Sequence, residues 1–199
     1  MSQESPAAER DVSDSVLNEL YDAAAGISDW PHALHGLSCE MQTSGIQLVV
    51  VDKHEGRLLR SEQPASGYDE PMLDGILEHV REWHRHDPHM ALTATLPVGT
   101  VMNTAVSFPI EQYTTHPFYR EYWSAYGVHT LLAAKLAEDE RDMIMVAVAR
   151  RHPRPMFSSN ELRLFDKYVS HLTRALRIAR HLDTRQTEVA AGLSLIRRF

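Results

Sequence analysis

Only one cysteine, Cys39, occurs in 199 residues, so no internal disulfide can form and a reducing, cytoplasmic setting is expected. Cys39 falls in a stretch of helical pattern and reads as a small core residue rather than a nucleophile. Long apolar runs are also missing. The longest, Met143 to Ala149, is far below the roughly 20 residues a membrane helix needs. The N-terminal MSQESPAAERDVSD is polar and acidic, unlike a secretory signal or a transit peptide. No Gly-rich phosphate loop, no G-x-S-x-G elbow and no H-E-x-x-H helix can be found. Carboxylates are plentiful, but nothing pairs them across a recognisable cleft. No residue is therefore assigned to catalysis, the expectation is a protein that is not an enzyme, and the cofactor is left unknown.

What is present suits one globular domain with appendages: 43% of residues are hydrophobic and 24% charged. The formal net charge of −7 is unevenly spread. Residues 150–185 hold nine Lys or Arg against three Asp or Glu, and the rest of the chain eleven against twenty-four. An acidic body argues against nucleic acid as its partner. The basic stretch has no aromatic interleaving and reads as a solvated helix face.

Taken in order, Val16, Leu17, Leu20, Tyr21 and Ala24 form an amphipathic stripe ending near Gly26. Asp29-Trp30-Pro31 starts a second helix. Ile46 to Val51 is a β-branched run that predicts a buried strand, with Arg57 to Glu62 as its hairpin partner. Met72, Leu73, Ile76, Leu77, Val80 and Trp83 recur at helical spacing, and Pro88 stops that helix soon after His86. Leu96 to Val106 looks extended. His116 to Tyr126 reads as an aromatic helix, and Val128 to Leu136 with Met143 to Ala149 as an antiparallel hairpin. The second of these strands is apolar on both faces, so both sides of the sheet should be covered. This order predicts an α+β fold, an antiparallel sheet covered by helices and flanked by N- and C-terminal helices.

The stretch Ser158 to Leu182 opens with a capping box, Ser158 and Glu161. Leu162, Phe165, Val169, Leu172, Leu176 and Ala179 then form a heptad seam, with Leu164, Tyr168, Ala175, Ile178 and Leu182 in a second apolar row beside it. Two readings stay open: an ordinary amphipathic core helix, or a dimerising helix with Phe165, Leu172 and Leu176 in the contact. Beyond Ala179 the seam slips at Asp183 and Gln186, where a coil should loosen before Val189 to Ile196 resumes.

His79, His84, His86 and His89 crowd into eleven residues. Their spacing is wrong for ligands on one helix face, so the cluster reads as a partly exposed polar helix end, able to respond to pH. Tyr113, Phe118, Tyr119, Tyr122, Trp123 and Tyr126 gather six aromatics within fourteen residues, either as a pocket lining or as plain core. If a pocket exists, Trp83, Asp87, Tyr119, Trp123 and His129 are the candidates to line it.

Two sets of residues then carry a resemblance. The closing pattern Arg151…Phe157-Ser158…Glu161…Leu164…His171-Leu172…Ala175-Leu176 resembles that of GAF-type sensor domains, a GAF/PAS-like architecture. Tyr21-x8-Trp30, Asp87-Pro88, Phe118-Tyr119-Arg120-Glu121-Tyr122 with Gly127, and His171-Leu172-x-Arg174-Ala175-Leu176 are similar to the N-terminal regions of LuxR-type helix-turn-helix transcriptional regulators. The resemblance implies a disordered leader over 1–12 and a GAF-like sensor domain over 13–182. Residues 183–199 become a linker or helical tail toward a missing C-terminal DNA-binding domain. It implies a non-catalytic sensor of a small molecule that signals through its C-terminal helix, forms a homodimer, meets DNA only through that absent domain and needs no membrane. In the autoinducer-binding branch an Asp-Pro aspartate accepts a hydrogen bond from the ligand amide, which Asp87-Pro88 matches, although the surrounding aromatic pattern of that branch is not found. A dimerisation module without ligand and a small-molecule enzyme are the competing classes.

Overall fold

The structure, a computed structural model, describes residues 11–196 other than 65, 110 and 112–114, with side chains described as far as residue 183. Most of the leader expected over 1–12 and Tyr113 therefore lie outside the described residues, as do the side chains of Val189 to Ile196.

Helices α1 (Asp14–Ala24) and α2 (Trp30–Glu40) lead into strand β1 (Gly45–Asp52) and its partner β2 (Leu58–Glu62). Helix α3 (Glu70–Arg81) follows, then a 3₁₀ turn (Trp83–His86) and helix α4 (Pro88–Thr95). Strand β3 (Val101–Asn103), the short helix α5 (Thr104–Ser107) and a π-helix (Phe118–Trp123) precede the β4 (Val128–Glu138) and β5 (Asp142–Arg151) hairpin. The chain closes on the long helix α6 (Ser159–Ile196). The five strands form one antiparallel sheet in the order β2-β1-β5-β4-β3, an α+β fold.

Strand periodicity explains the layering, because successive side chains point to opposite faces. On β5, Ile144, Val146 and Val148 join Ile46 and Leu48 of β1 and Leu132 and Leu136 of β4 under α1, α2 and α6. The alternate residues Val49, Leu131, Ala133, Met145, Ala147 and Ala149 face α3, α4 and the π-helix. Both faces of the sheet are covered, as its two-sided apolar strand required.

Two expectations need correction. Leu96 to Val106 is extended only over β3, after which the chain turns helical. Pro88 does end the preceding helical stretch, with Asp87 in extended conformation, but it also occupies the first turn of α4. Proline has no N–H to lose there, and Asp87 caps the new helix by accepting from the His89 N–H at 2.8 Å.

The capping box at Ser158 is formed: its N–H donates to Glu161 Oε2 at 2.8 Å, and the Glu161 N–H reaches back to Ser158 Oγ at 3.4 Å. The α6 backbone continues helically through Asp183 and Gln186 to Ile196. Its seam faces inward. Phe165, Val169 and Leu172 are fully buried in the chain's own core, and Leu164, Tyr168 and Ala175 of the second row are equally enclosed. Tyr168 accepts from the Ser13 N–H at 2.9 Å, and the Tyr21 hydroxyl meets His171 Nδ1 at 3.0 Å, so α1 occupies the place a partner helix would take. Phe165 thus has no surface left for a dimer contact. A heptad seam satisfies a core helix and a coiled coil alike, which is why periodicity could not separate them. Among the described residues, no helix is long and apolar enough to cross a membrane.

Candidate functional site

Between the sheet and the α3, α4 and π-helix layer lies a mostly apolar cavity of about 80 Å³. Its floor includes Leu131, Ala133, Ala147 and Ala149, and the alanines leave the space that the larger residues on the opposite face fill. Met72 and Ile76 of α3, Met90 of α4, and Phe118, Tyr122 and Trp123 form much of the rest. The π-helix turns all four of its large aromatics inward: Phe118, Tyr119, Tyr122 and Trp123 are buried. Two close approaches hold it. Tyr122 donates from its hydroxyl to the Gly75 carbonyl at 2.8 Å, and the absence of a side chain at Gly75 lets the Tyr126 ring pack closely on α3. Burial first, then the charges of Asp87 and Glu78, pushes the Tyr122 phenol well up, so it stays a donor.

The polar wall is a closed network around Asp87. Its carboxylate accepts from His79 Nε2 at 3.0 Å, and from both the N–H and Nδ1 of His89 at 2.8 Å. Tyr119, behind the wall, meets His89 Nε2 through its hydroxyl at 3.0 Å. With neutral imidazoles the direction is set: His79 and His89 donate to Asp87, and Tyr119 donates to His89. Burial alone would raise the Asp87 pKa. His89, by its charge when protonated and by its hydrogen bonds, and His79 in the same two ways, outweigh burial and hold the carboxyl well below the usual carboxylate range. Trp123 stacks on His89 with centroids 4.4 Å apart and planes 12° from parallel.

Asp87 and Trp123 are therefore at the cavity wall. Trp83 and Tyr119 stand one layer out: the Trp83 ring stacks on Tyr122 at 5.7 Å and its Nε1 donates to Glu78 at 2.8 Å. Trp83 also borders an open outer groove of about 600 Å³ with Arg85, His86, Pro88, His116 and Asp87 itself. Asp87 thus belongs to the walls of both hollows. His129 lies elsewhere, stacked on His152 at 4.1 Å, and burial, with His152 and Arg150 nearby, keeps it below the ordinary imidazole pKa.

The partly exposed helix end expected of the histidine cluster does not hold for His79 and His89, both of which are buried. A usable signal existed for His79, which continues the Met72 and Ile76 face of α3 at helical spacing. None existed for its meeting with Asp87, eight residues on, because the 3₁₀ turn decides that. Thr93 was also missed. It is fully buried at the cavity wall, and among the described residues its hydroxyl has no hydrogen-bond partner, nor has His79 Nδ1. Among the described residues no group of three or more metal-ligating side chains converges. The wall presents hydrogen-bonding groups and aromatic side chains to the cavity, an arrangement able to hold a small ligand.

No family model and no curated protein matches this chain. Solved structures do. The LBD domain of VqsR from Pseudomonas aeruginosa aligns with a TM-score of 0.60 at 13% identity, over 84% of this chain and 95% of that one. The N-acylhomoserine-lactone-dependent LuxR-family transcription factor CepR2 from Burkholderia cenocepacia aligns with 0.56 at 10% identity, over 82% and 92%. GAF3 of Slr1393 from Synechocystis, in its photoproduct state, aligns with 0.51 at 8% identity, over 85% and 99%. The chain therefore has the GAF-like fold that these LuxR-family and GAF sensor structures share.

Proposed function

We propose that this chain is a non-catalytic, small-molecule-sensing domain of a bacterial LuxR-type transcriptional regulator. The observation that carries the reading is the cavity: an apolar space floored by alanines, with one buried polar wall around Asp87. Concave, mostly apolar sites with a few placed polar groups are what small ligands occupy. The fold shared with lactone-dependent CepR2 supports the same reading and makes acyl lactones one class to test. The Arg150–Glu161 pair supports signalling through α6. Strand β5 floors the cavity and carries, one residue before its end, Arg150, whose guanidinium bonds Glu161 at the start of α6 at 2.5 Å. Ligand binding would bias the seating of α6 through that pair.

The test is native mass spectrometry on protein purified from its own host, comparing wild type with Ala147→Leu, which fills the cavity. A species retained by wild type, released on denaturation and absent from the variant is expected. Adding it back at 100-fold over its dissociation constant should stabilise wild type by roughly 2.7 kcal/mol. No retained species, with identical melting of both proteins in host extract, favours a dimerisation module without ligand.

A further inference from the structure

We infer that the cavity takes a neutral, hydroxyl-bearing molecule of one ring, of the phenol class. This rests on the small-molecule reading above and narrows it. At about 80 Å³ the cavity is well below the roughly 300–1,000 Å³ of sites for drug-sized ligands. Phe118, Tyr122 and Trp123 line it together, and aromatic rings pack on one another edge-on as well as face-on, which favours an aromatic ligand.

The polar wall selects the substituent. Asp87 is already engaged by three N–H donors, so a ligand amide would have to compete with His79 or His89 for it. Among the described residues, two polar atoms on wall residues lack partners: Thr93 Oγ1, on a fully buried residue, and His79 Nδ1, on a residue 8% exposed. Buried polar groups without partners are costly, so a ligand that supplies the missing bond gains what the empty site forgoes. When His79 donates to Asp87 from Nε2, a neutral ring leaves Nδ1 as an acceptor, which needs a donor. Thr93 can donate or accept. A hydroxyl does both and serves either group. A carboxylate cannot donate, and would stand beside the ionised Asp87 in an apolar surround where like charges repel strongly. A plain hydrocarbon fills the space but leaves the wall unsatisfied.

The experiment uses the full chain and three probes of nearly one size: p-cresol, toluene and p-toluate, titrated by calorimetry. Binding of p-cresol about tenfold tighter than toluene is expected, on the order of one hydrogen bond, with no binding of p-toluate. Thr93→Val keeps the shape and should cut the cresol preference to about twofold, whereas Thr93→Ser should keep it. Equal affinity for toluene and p-cresol, binding of p-toluate, or an unchanged preference in a folded Thr93→Val protein would overturn the inference. An acyl homoserine lactone that binds while p-cresol does not would overturn it too, yet leave the sensor reading standing. Failure of all these probes together with no species retained from the host would remove both.

Discussion

At Asp87 three N–H donors converge on one buried carboxylate, which joins α3, α4 and the cavity. Asparagine is nearly isosteric but turns one acceptor into a donor, so Asp87→Asn should leave a histidine N–H facing an amide N–H. We expect a loss of about 3–5 kcal/mol, the usual cost of breaking a buried charged pair, read from urea unfolding at neutral pH. The sign of the pH effect follows from the depressed carboxyl. A carboxylate more acidic when folded contributes fully above its unfolded pKa of about 3.9 and loses that contribution as pH falls through the folded value. Wild type should therefore lose stability below about pH 4 more steeply than Asp87→Asn. Superimposable acid limbs would show that the carboxylate is not the group that matters.

At the scale of elements, the junction of β5 and α6 concentrates the interactions. Arg150 is buried, sits 4.1 Å from the Phe157 ring centroid, donates to the Met41 carbonyl at 2.9 Å and pairs with Glu161. Partial burial would raise the Glu161 carboxyl, but Arg150 and the Ser158 N–H outweigh it and bring it down to about 2. Glu161→Gln removes the pair and weakens the cap together, and we expect about 3 kcal/mol lost. The double replacement Arg150→Met with Glu161→Leu should recover much of that, since a buried pair often gives little over an apolar one. Thermal or urea unfolding of the three proteins decides it. A double variant no more stable than Glu161→Gln would mean that Arg150 matters through Met41 and Phe157 instead. The capping box was legible because its two residues are three apart. The arginine that completes it, eleven residues back in another element, was not.

For the whole molecule, assembly remains a proposal, and the structure moves its address. Among the described residues, the inward seam of α6 leaves Ile178 and Leu182, 43% and 36% exposed and one turn apart, as large apolar side chains on that helix open to a partner. We propose a homodimer that meets there, in the self-complementary way a twofold interface requires. Light scattering at matched concentration distinguishes the two addresses. Ile178→Glu with Leu182→Glu should give a folded monomer, whereas Leu172→Asp should unfold the chain, because a buried carboxylate without a partner costs several kcal/mol. A monomeric wild type, or a dimer that survives the double substitution, would rule out this contact.

Period-two alternation along β5, apolar on both faces, was enough to predict a sheet covered on both sides, and short-range spacing placed the β hairpins, the aromatic helix and the start of α6. Those features depend on neighbours within a few residues, where the backbone's own periodicity does the sorting. Which way the Phe165 to Leu172 seam faces could not be read, because the pattern is the same whether α1 or a second chain covers it. Pro88 marked a boundary but not that a helix begins there, since the same residue both stops and starts helices. The cavity needed still more. Ala133 and Ala147 are unremarkable until strand register sets them side by side, and His79, Asp87 and His89 are scattered polar residues until the 3₁₀ turn folds α4 back toward α3. Local pattern determined the elements; the meeting of side chains from different elements, and so the candidate site, was decided only by the packing of one layer against another.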